Sequence, residues 1–202
     1  MKLIFVGAQA SGKGTQAKII SQNLKIAHIS TGDLLRNSSG QLKKELDESM
    51  NSGKLVPDEL MLRILKERLS RSDCKSGFIL DGFPRNMEQA KALDKITKID
   101  KVIEIEISDK EAINRLVGRR NCPQCGKIYN INTAPKPAHD NLCDDCSVQL
   151  NQRADDALDA IKKRLETYHN ETEPILKHYK SIKVNGEQDI DSVTKDILNA
   201  LQ

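Results

Sequence analysis

Short apolar segments alternate with longer amphipathic segments along most of this chain. The apolar segments, rich in Ile and Val, predict buried strands at residues 2–6, 26–29, 78–80, 101–107 and 182–184. Apolar positions at helical spacing predict helices at residues 33–50, 58–70, 86–95, 109–117, 157–180 and 192–201. Strands that alternate with helices form crossover units, so the pattern predicts an α/β fold with a parallel sheet covered by helices on both faces.

The segment at residues 118–156 breaks this alternation, because it has little periodicity and contains all four paired cysteines. The cysteines form two Cys-x2-Cys pairs separated by seventeen residues, a spacing typical of a tetrahedral four-thiolate zinc site. The predicted zinc ligands are Cys122, Cys125, Cys143 and Cys146. Such a closed shell is structural and would make rigid an insert that has too little core of its own. Unliganded thiols, a redox pair, or His139 in place of one thiolate are the alternatives.

A glycine-rich turn follows the first predicted strand and opens the first helix. Gly7, Gly12 and Lys13 have the spacing of a phosphate-binding loop, with Gly14 in the usual position of a Ser or Thr. Glycines let the backbone wrap around an anion, the N–H groups of the helix start point at it, and the lysine adds a full charge. A flexible strand-to-helix turn without a ligand is the alternative interpretation.

Several motifs occur together in a fixed order along the chain. They are GKGT at residues 12–15, ISTGDLLR at 29–36, GKLVPD at 53–58, DGFPR at 81–85, GRR at 118–120 and QRADD at 152–156. As a set they resemble the nucleoside monophosphate kinases, most closely the long form of the adenylate kinases, some of which carry a metal in the lid. The resemblance covers essentially the whole chain. It implies the P-loop kinase fold, with five parallel strands, a core at 1–29, 60–117 and 157–202, a monophosphate-binding segment at 30–59 and a zinc lid at 118–156.

The same resemblance implies the reaction ATP + AMP = 2 ADP and a role for each matching residue. ATP is implied to lie among Ala10, Ser11, Gly12, Lys13, Gly14, Thr15, Arg119, Ile128, Tyr129 and Gln188. AMP is implied to contact Thr31, Arg36, Lys54, Leu55, Val56, Gly82, Phe83, Pro84, Arg85, Gln89, Arg153 and Arg164. The implied catalytic set is Lys13, Asp81, Arg85, Arg119, Arg153 and Arg164, with Asp81 orienting Mg²⁺ through water.

These roles also make chemical sense without the family. Phosphoryl transfer needs aligned substrates and dense positive charge around the transferring group, and arginine grips two oxygens at once while staying charged. Asp81 could instead only cap its strand, and Arg115 could stack on adenine or be solvated. The kinase family usually carries Pro-Gly where this chain has Gln9 and Ala10. Because alanine resists a positive φ, the loop either avoids that angle or stores strain.

Composition and charge limit the other classes. The chain has 202 residues and a net charge of +3, and its longest strictly apolar run is four residues, so we expect a cytoplasmic protein without a membrane partner. The resemblance to the kinase family implies a monomer. The 118–156 insert has five basic and five acidic residues and one aromatic, which argues against a zinc ribbon that binds nucleic acid. A kinase that prefers CMP, UMP or GMP remains the alternative within the family.

Overall fold

The computed structural model describes residues 1–36, 57–153 and 156–202, and its main sheet has five parallel strands. These strands are β1 Lys2–Val6, β2 Ala27–Ser30, β3 Phe78–Asp81, β4 Lys101–Glu106 and β7 Ile182–Asn185. Their order in the sheet is β2-β3-β1-β4-β7, with every neighbouring pair parallel. The predicted α/β fold is confirmed, and all five predicted strands are present with ends that differ by at most one residue.

Helices connect the strands and cover both faces of the sheet. They are α1 Lys13–Leu24, α2 Thr31–Arg36, α3 Asp58–Leu69, α4 Met87–Asp94, α5 Asp109–Gly118, α6 Leu158–Thr167, α7 Pro174–Tyr179 and α8 Ile190–Leu201. Three of them begin at a side-chain cap: Asn86, Ser108 and Asp189 each accept a hydrogen bond from a backbone N–H in the first turn. The helix predicted at 33–50 begins at Thr31, and its part beyond residue 36 lies outside the described residues. Within the described ranges, no helix combines the length and apolarity needed to cross a bilayer.

The central strand β1 feeds two separate hydrophobic cores because its side chains alternate between the two faces of the sheet. Leu3 and Phe5 pack with α1 and α8, whereas Ile4 and Val6 belong to the core formed with α3, α4, α5 and α6. All four side chains are at most 3% exposed. Burial on both faces explains why this strand is continuously apolar, and it fixes the end of β1, from which the glycine-rich turn emerges.

The single helix predicted at residues 157–180 is interrupted. Between α6 and α7 the chain widens into a π-helical turn, Tyr168–Thr172, in which the Glu173 N–H donates to the Tyr168 carbonyl at 2.9 Å. Pro174 follows as the first residue of α7, a position that needs no backbone N–H. The interruption matters for the site, because the Thr172 hydroxyl donates to the Arg85 carbonyl at 2.7 Å.

Residues 118–153 form a small unit that is separate from the main sheet. Strands β5 Arg119–Asn121 and β6 Ile128–Asn130 pair in antiparallel fashion, and isolated bridges join Asn121 to Asn151 and Leu142 to Gln149. The buried cluster of this unit consists of Cys122, Tyr129, Cys143 and Leu150. So small an apolar core supports the expectation that a metal stabilises the insert.

Candidate active site

The turn after β1 encloses the side chain of Lys13, the first residue of α1. Gly7 and Gly12 have φ angles of 154° and 96°, which favour glycine, and a Cβ on Gly7 would lie 2.3 Å from the Ile105 carbonyl oxygen. The Lys13 ammonium donates to the Gly7 carbonyl at 2.8 Å and to the Ala8 carbonyl at 2.7 Å. The loop therefore has the closed shape of a phosphate cradle around a single cation.

Ala10 decides between the two conformations that the sequence left open. Its φ angle is 60°, in the left-handed region, so this loop does use the angle that the usual glycine would supply. For a residue with a Cβ that conformation costs about 1–2 kcal/mol. The loop therefore holds some strain. The Arg115 guanidinium donates to the Ala10 carbonyl at 3.4 Å and pairs with Glu111 at 2.7 Å, so Arg115 faces the loop rather than being fully solvated.

The electrostatics of Lys13 show that the predicted cations converge. Burial lowers the pKa of Lys13 to about 8, the nearby Asp81 carboxylate opposes this shift, and Arg85, Arg164 and Arg119 lower the pKa further. The three guanidinium groups come from the segment after β3, from the start of the 118–156 insert and from α6, and all three act on one ammonium. That these residues share a single cavity stays a prediction.

This lowered pKa predicts proton uptake on nucleotide binding. With a pKa of about 8, Lys13 in the nucleotide-free protein should be about half protonated at pH 8. A neighbouring polyphosphate would stabilise the charged form, so binding should draw in about half a proton at that pH. ATP affinity should then fall as the pH rises above 8, because the free lysine must first be protonated. Calorimetry of ATP binding in buffers of different ionisation enthalpy measures the uptake. Lys13→Met should abolish it, and equal uptake in that variant would contradict the assignment.

Asp81 lies at the carboxyl end of β3, above the start of α1. A Cβ on Gly14 would come within 3.2 Å of its Oδ2 atom, which gives a spatial reason for the small residue after the lysine. The His28 Nε2 atom lies 3.5 Å from the same oxygen. Sequence analysis assigned His28 no role, and only the pairing of β2 with β3 reveals this proximity.

The residues predicted to hold AMP gather beside Asp81. Arg85 Nε donates to the Gly82 carbonyl at 2.7 Å, Arg85 N–H donates to Gln89 Oε1 at 2.7 Å, and Thr31 Oγ1 donates to the Asp81 carbonyl at 3.2 Å. Gln89 also donates to Asp58 at 2.6 Å. Gly82 has a φ of 84°, and a Cβ there would lie 2.8 Å from Thr31 Oγ1, so this approach requires glycine.

Other members of the predicted AMP set have different surroundings. Phe83 and Pro84 are buried, and Phe83 belongs to the hydrophobic core, so its side chain contributes to the fold. Arg36 is the last residue of α2. The predicted contacts Lys54, Leu55 and Val56 lie outside the described residues.

A buried carboxylate that the sequence analysis did not single out joins two of the predicted arginines. Asp156 is 2% exposed; its Oδ2 accepts from Arg119 Nε at 2.8 Å, and its Oδ1 accepts from Arg119 Nη2 and, at 3.4 Å, from Arg164 Nη1. Its backbone N–H donates to the Arg153 carbonyl at 3.1 Å. The sequence offered one sign of this role: Asp156 ends the arginine-containing motif QRADD at residues 152–156.

Replacing Asp156 with asparagine should therefore disturb catalysis as well as stability. Asparagine keeps the shape but removes the charge and one acceptor, so Arg119 and Arg164 lose their fixed orientation and we expect kcat to fall about 10–100-fold. Breaking a buried ion pair should also cost about 3–5 kcal/mol of unfolding free energy. Steady-state kinetics and denaturant unfolding measure both. Asp145→Asn, which breaks an exposed pair with Lys127 in the same unit, is the matched control and should change neither.

The remaining residues predicted around ATP are divided between surface and interior. Thr15 and Gln188 are exposed, and Ile128 is 40% exposed. Ser11 is buried, and its Oγ lacks a hydrogen-bond partner among the described residues. Tyr129 is 1% exposed, and its hydroxyl lies 3.5 Å from Cys143 Sγ and accepts from the Asp144 N–H at 3.0 Å. The Tyr129 ring thus belongs to the core of the insert, and the contact of this residue with ATP stays a prediction.

The four predicted zinc ligands come together in space. The Sγ atoms of Cys122, Cys125, Cys143 and Cys146 lie within 4.8 Å of one another, and Cys125 and Cys143 are 3.7 Å apart. A tetrahedron with Zn–S bonds of about 2.3 Å has edges of about 3.8 Å, whereas a disulfide needs about 2.05 Å. The Tyr129 hydroxyl also lowers the pKa of Cys143 to about 6, which favours the thiolate form that binds metal.

Two equivalent turns present these thiols. In each, the residue after the second cysteine donates to the carbonyl of the first, Gly126 to Cys122 at 3.0 Å and Ser147 to Cys143 at 2.8 Å. Both residues have a positive φ, 73° for Gly126 and 55° for Ser147. The repeated geometry fits a four-thiolate metal centre.

Known proteins resemble this chain along its whole length. The family model described as Adenylate kinase matches residues 5–184. An adenylate kinase of Caldicellulosiruptor bescii is 45% identical over 213 residues, covering 100% of this chain and 99% of the relative. An adenylate kinase of Thermosipho africanus is 45% identical over 214 residues, with 100% of both chains covered, and one of Methanocella arvoryzae is 44% identical, covering 100% and 99%.

Proposed function

The chain belongs to the adenylate kinase family, and we propose that it transfers a phosphoryl group reversibly from MgATP to AMP to give two ADP. The observation that carries the proposal is that the glycine-rich turn encloses the Lys13 ammonium and that Arg119 and Arg164 meet at the Asp156 carboxylate. Such a concentration of cations is unfavourable in an empty site, and a polyphosphate relieves it.

The proposed reaction is a direct in-line transfer without a phosphoenzyme. The glycine-rich turn holds the donor phosphates through its N–H groups, and Lys13 stays in contact with the phosphoryl group during its transfer. Arg85 approaches from the AMP side, whereas Arg119 comes from the insert. Arg153 and Arg164 contact the phosphates of both substrates, so negative charge is balanced on each side of the transferring group.

Mg²⁺ accompanies ATP in this proposal. The Asp81 carboxylate provides the oxygen donor that this cation prefers, and it lies next to the phosphate-binding turn, so the residues present fit the ion. When bound, Mg²⁺ supplies charge neutralisation at the donor phosphates. Asp81 would hold the ion through water, and the His28 Nε2 atom lies 3.5 Å from the Asp81 Oδ2 atom.

AMP recognition rests on the cluster around Gly82. Arg85 bonds to both Gly82 and Gln89, and Thr31 bonds to the Asp81 carbonyl next to this glycine. We propose that Arg36 and residues 54–56 complete the site. We also propose the division into a core at 1–29, 60–117 and 157–202, an AMP segment at 30–59 and a zinc lid at 118–156. Closure of the lid would exclude water, which competes with AMP as an acceptor. The cytoplasm and a monomeric state remain part of this proposal.

A comparison of acceptors tests the function directly. With one fixed concentration of MgATP, we expect AMP to give an initial rate at least tenfold above CMP, UMP or GMP, since a site that pairs with one base leaves polar groups unpaired with the others. A coupled assay for ADP measures the rate. A pyrimidine or guanine acceptor that reacts faster than AMP would replace the proposed substrate with that nucleotide.

A further inference from the structure

The loop residue that departs from the family pattern makes a contact across the active site. Gln9 Nε2 donates to the backbone carbonyl of Arg164 at 3.3 Å. The two residues are far apart in sequence, and the bond joins the phosphate-binding turn to α6, the helix that carries a predicted catalytic arginine. Proline, the usual residue of the family at this position, has no donor that could make such a bond.

The acceptor of this bond lies where α6 changes its geometry. The Tyr168 N–H, at the start of the π turn, also donates to the Arg164 carbonyl. At the other end of that turn, Thr172 Oγ1 donates to the Arg85 carbonyl. The segment from Arg164 to Thr172 is thus attached to the ATP side through Gln9 and to the AMP side through Thr172.

The other end of the Gln9 amide is unfavourable for stability. Gln9 Oε1 is buried and has no hydrogen-bond partner within the described part of the chain. A buried acceptor without a donor costs about 1–3 kcal/mol, which offsets the gain from a single bond of 3.3 Å. An apolar side chain of the same length would fill the space without that cost, so stability alone does not explain a glutamine here.

The strained conformation of the adjacent residue, Ala10, gives the Gln9 hydrogen bond a further role. Ala10 occupies a strained left-handed conformation, and the unstrained alternatives would move the loop carbonyls that Lys13 and Arg115 contact. Gln9 bonds to α6, and Arg115 of α5 bonds to the Ala10 carbonyl. These two bonds hold the strained turn between α5 and α6.

We propose that Gln9 is a positioning residue for phosphoryl transfer, because its amide fixes the phosphate-binding turn relative to Arg164. The inference deepens the proposed function and rests on it. It assigns Gln9 no contact with the reacting atoms; the residue acts through the placement of Arg164, whose guanidinium would otherwise vary in distance from the transferring group.

Gln9→Met tests this, since methionine matches glutamine in length and lacks both polar atoms. We expect kcat to fall about three- to tenfold, KM for ATP to change less than twofold, and the melting temperature to stay the same or rise, because the orphaned acceptor is gone. Gln9→Ala should give the same loss in kcat. Gln22→Met, at an exposed position of α1, is the matched control and should leave all three values unchanged.

A double-mutant cycle with Arg164→Met separates positioning from a general structural role. If Gln9 acts through Arg164, adding Gln9→Met to Arg164→Met should lower kcat less than twofold further. A full three- to tenfold loss in that background would overturn the proposal, as would a lower melting temperature with an unchanged kcat. A chain that transfers phosphate to another acceptor would show the same coupling, so failure here is distinguishable from failure of the proposed reaction.

Discussion

Replacing Lys13 with methionine should reduce kcat by about 10²–10³-fold while leaving the fold intact. The ammonium is the cation on which Arg85, Arg119 and Arg164 act, and it donates to two carbonyls of the glycine-rich turn. Its lowered pKa means that the charged form is costly in the empty site, so its removal should not weaken the protein. The two lost hydrogen bonds to the loop carbonyls offset part of this gain.

The measurement is steady-state turnover combined with thermal unfolding of the same preparation. The melting temperature should stay within a few degrees of the parent protein. Lys18→Met is the matched control, because Lys18 lies exposed on the same helix and should tolerate the change in both assays. Turnover of Lys13→Met within fivefold of the parent would show that the lysine does not act on the transferring group.

Removal of zinc should destabilise the insert strongly and selectively. The buried cluster of that unit has four members, and two of them are the predicted ligands Cys122 and Cys143, so little apolar packing remains without the metal. We expect chelation of the nucleotide-free protein to lower the melting temperature by about 10 °C, which corresponds to several kcal/mol for a chain of this size. Cys143→Ser should have a similar effect.

Hydrogen exchange read by mass spectrometry locates the change. Peptides from residues 118–153 should lose protection, whereas those from β1 and β3 should keep it, since the main sheet has its own cores. Added zinc should restore the parent protein and leave Cys143→Ser unaffected. If the chelator leaves the melting temperature unchanged, the prediction that the metal stabilises the insert is wrong.

The main sheet was predictable because its signal is local. Strand β1 is a nearly continuous apolar run, and β4 alternates Val and Ile with charged residues. Alternation of the strands with helices implies parallel pairing without further information. The interruption after α6 was not predicted, although Pro174 lies within the segment. A proline can occupy the first turn of a new helix, and the π turn before it depends on where Tyr168 and Thr172 find their partners.

Site residues that lie in sequence motifs were predictable, whereas those whose role depends on tertiary contacts were not. Lys13, Arg85, Arg119 and Arg164 come from separate motifs, and the structure brings their charges together. Burial is a property of the folded chain, so neither the buried carboxylate of Asp156 nor the enclosed ring of Tyr129 could be inferred from spacing. His28 is similar, because its nearness to Asp81 exists only through the pairing of two strands. The roles of residues 54–56 stay predictions.

The two cysteine turns of the insert differ in what they require from the metal. Both need a residue in the left-handed conformation, and glycine adopts it at Gly126 without a Cβ penalty, whereas Ser147 adopts it at a cost of about 1 kcal/mol. The turn at Cys122 and Cys125 therefore forms without that strain. We expect an incoming ion to bind first to Cys122 and Cys125. Its coordination by Cys143 and Cys146 then orders the second turn, and we expect release of the ion to follow the opposite order.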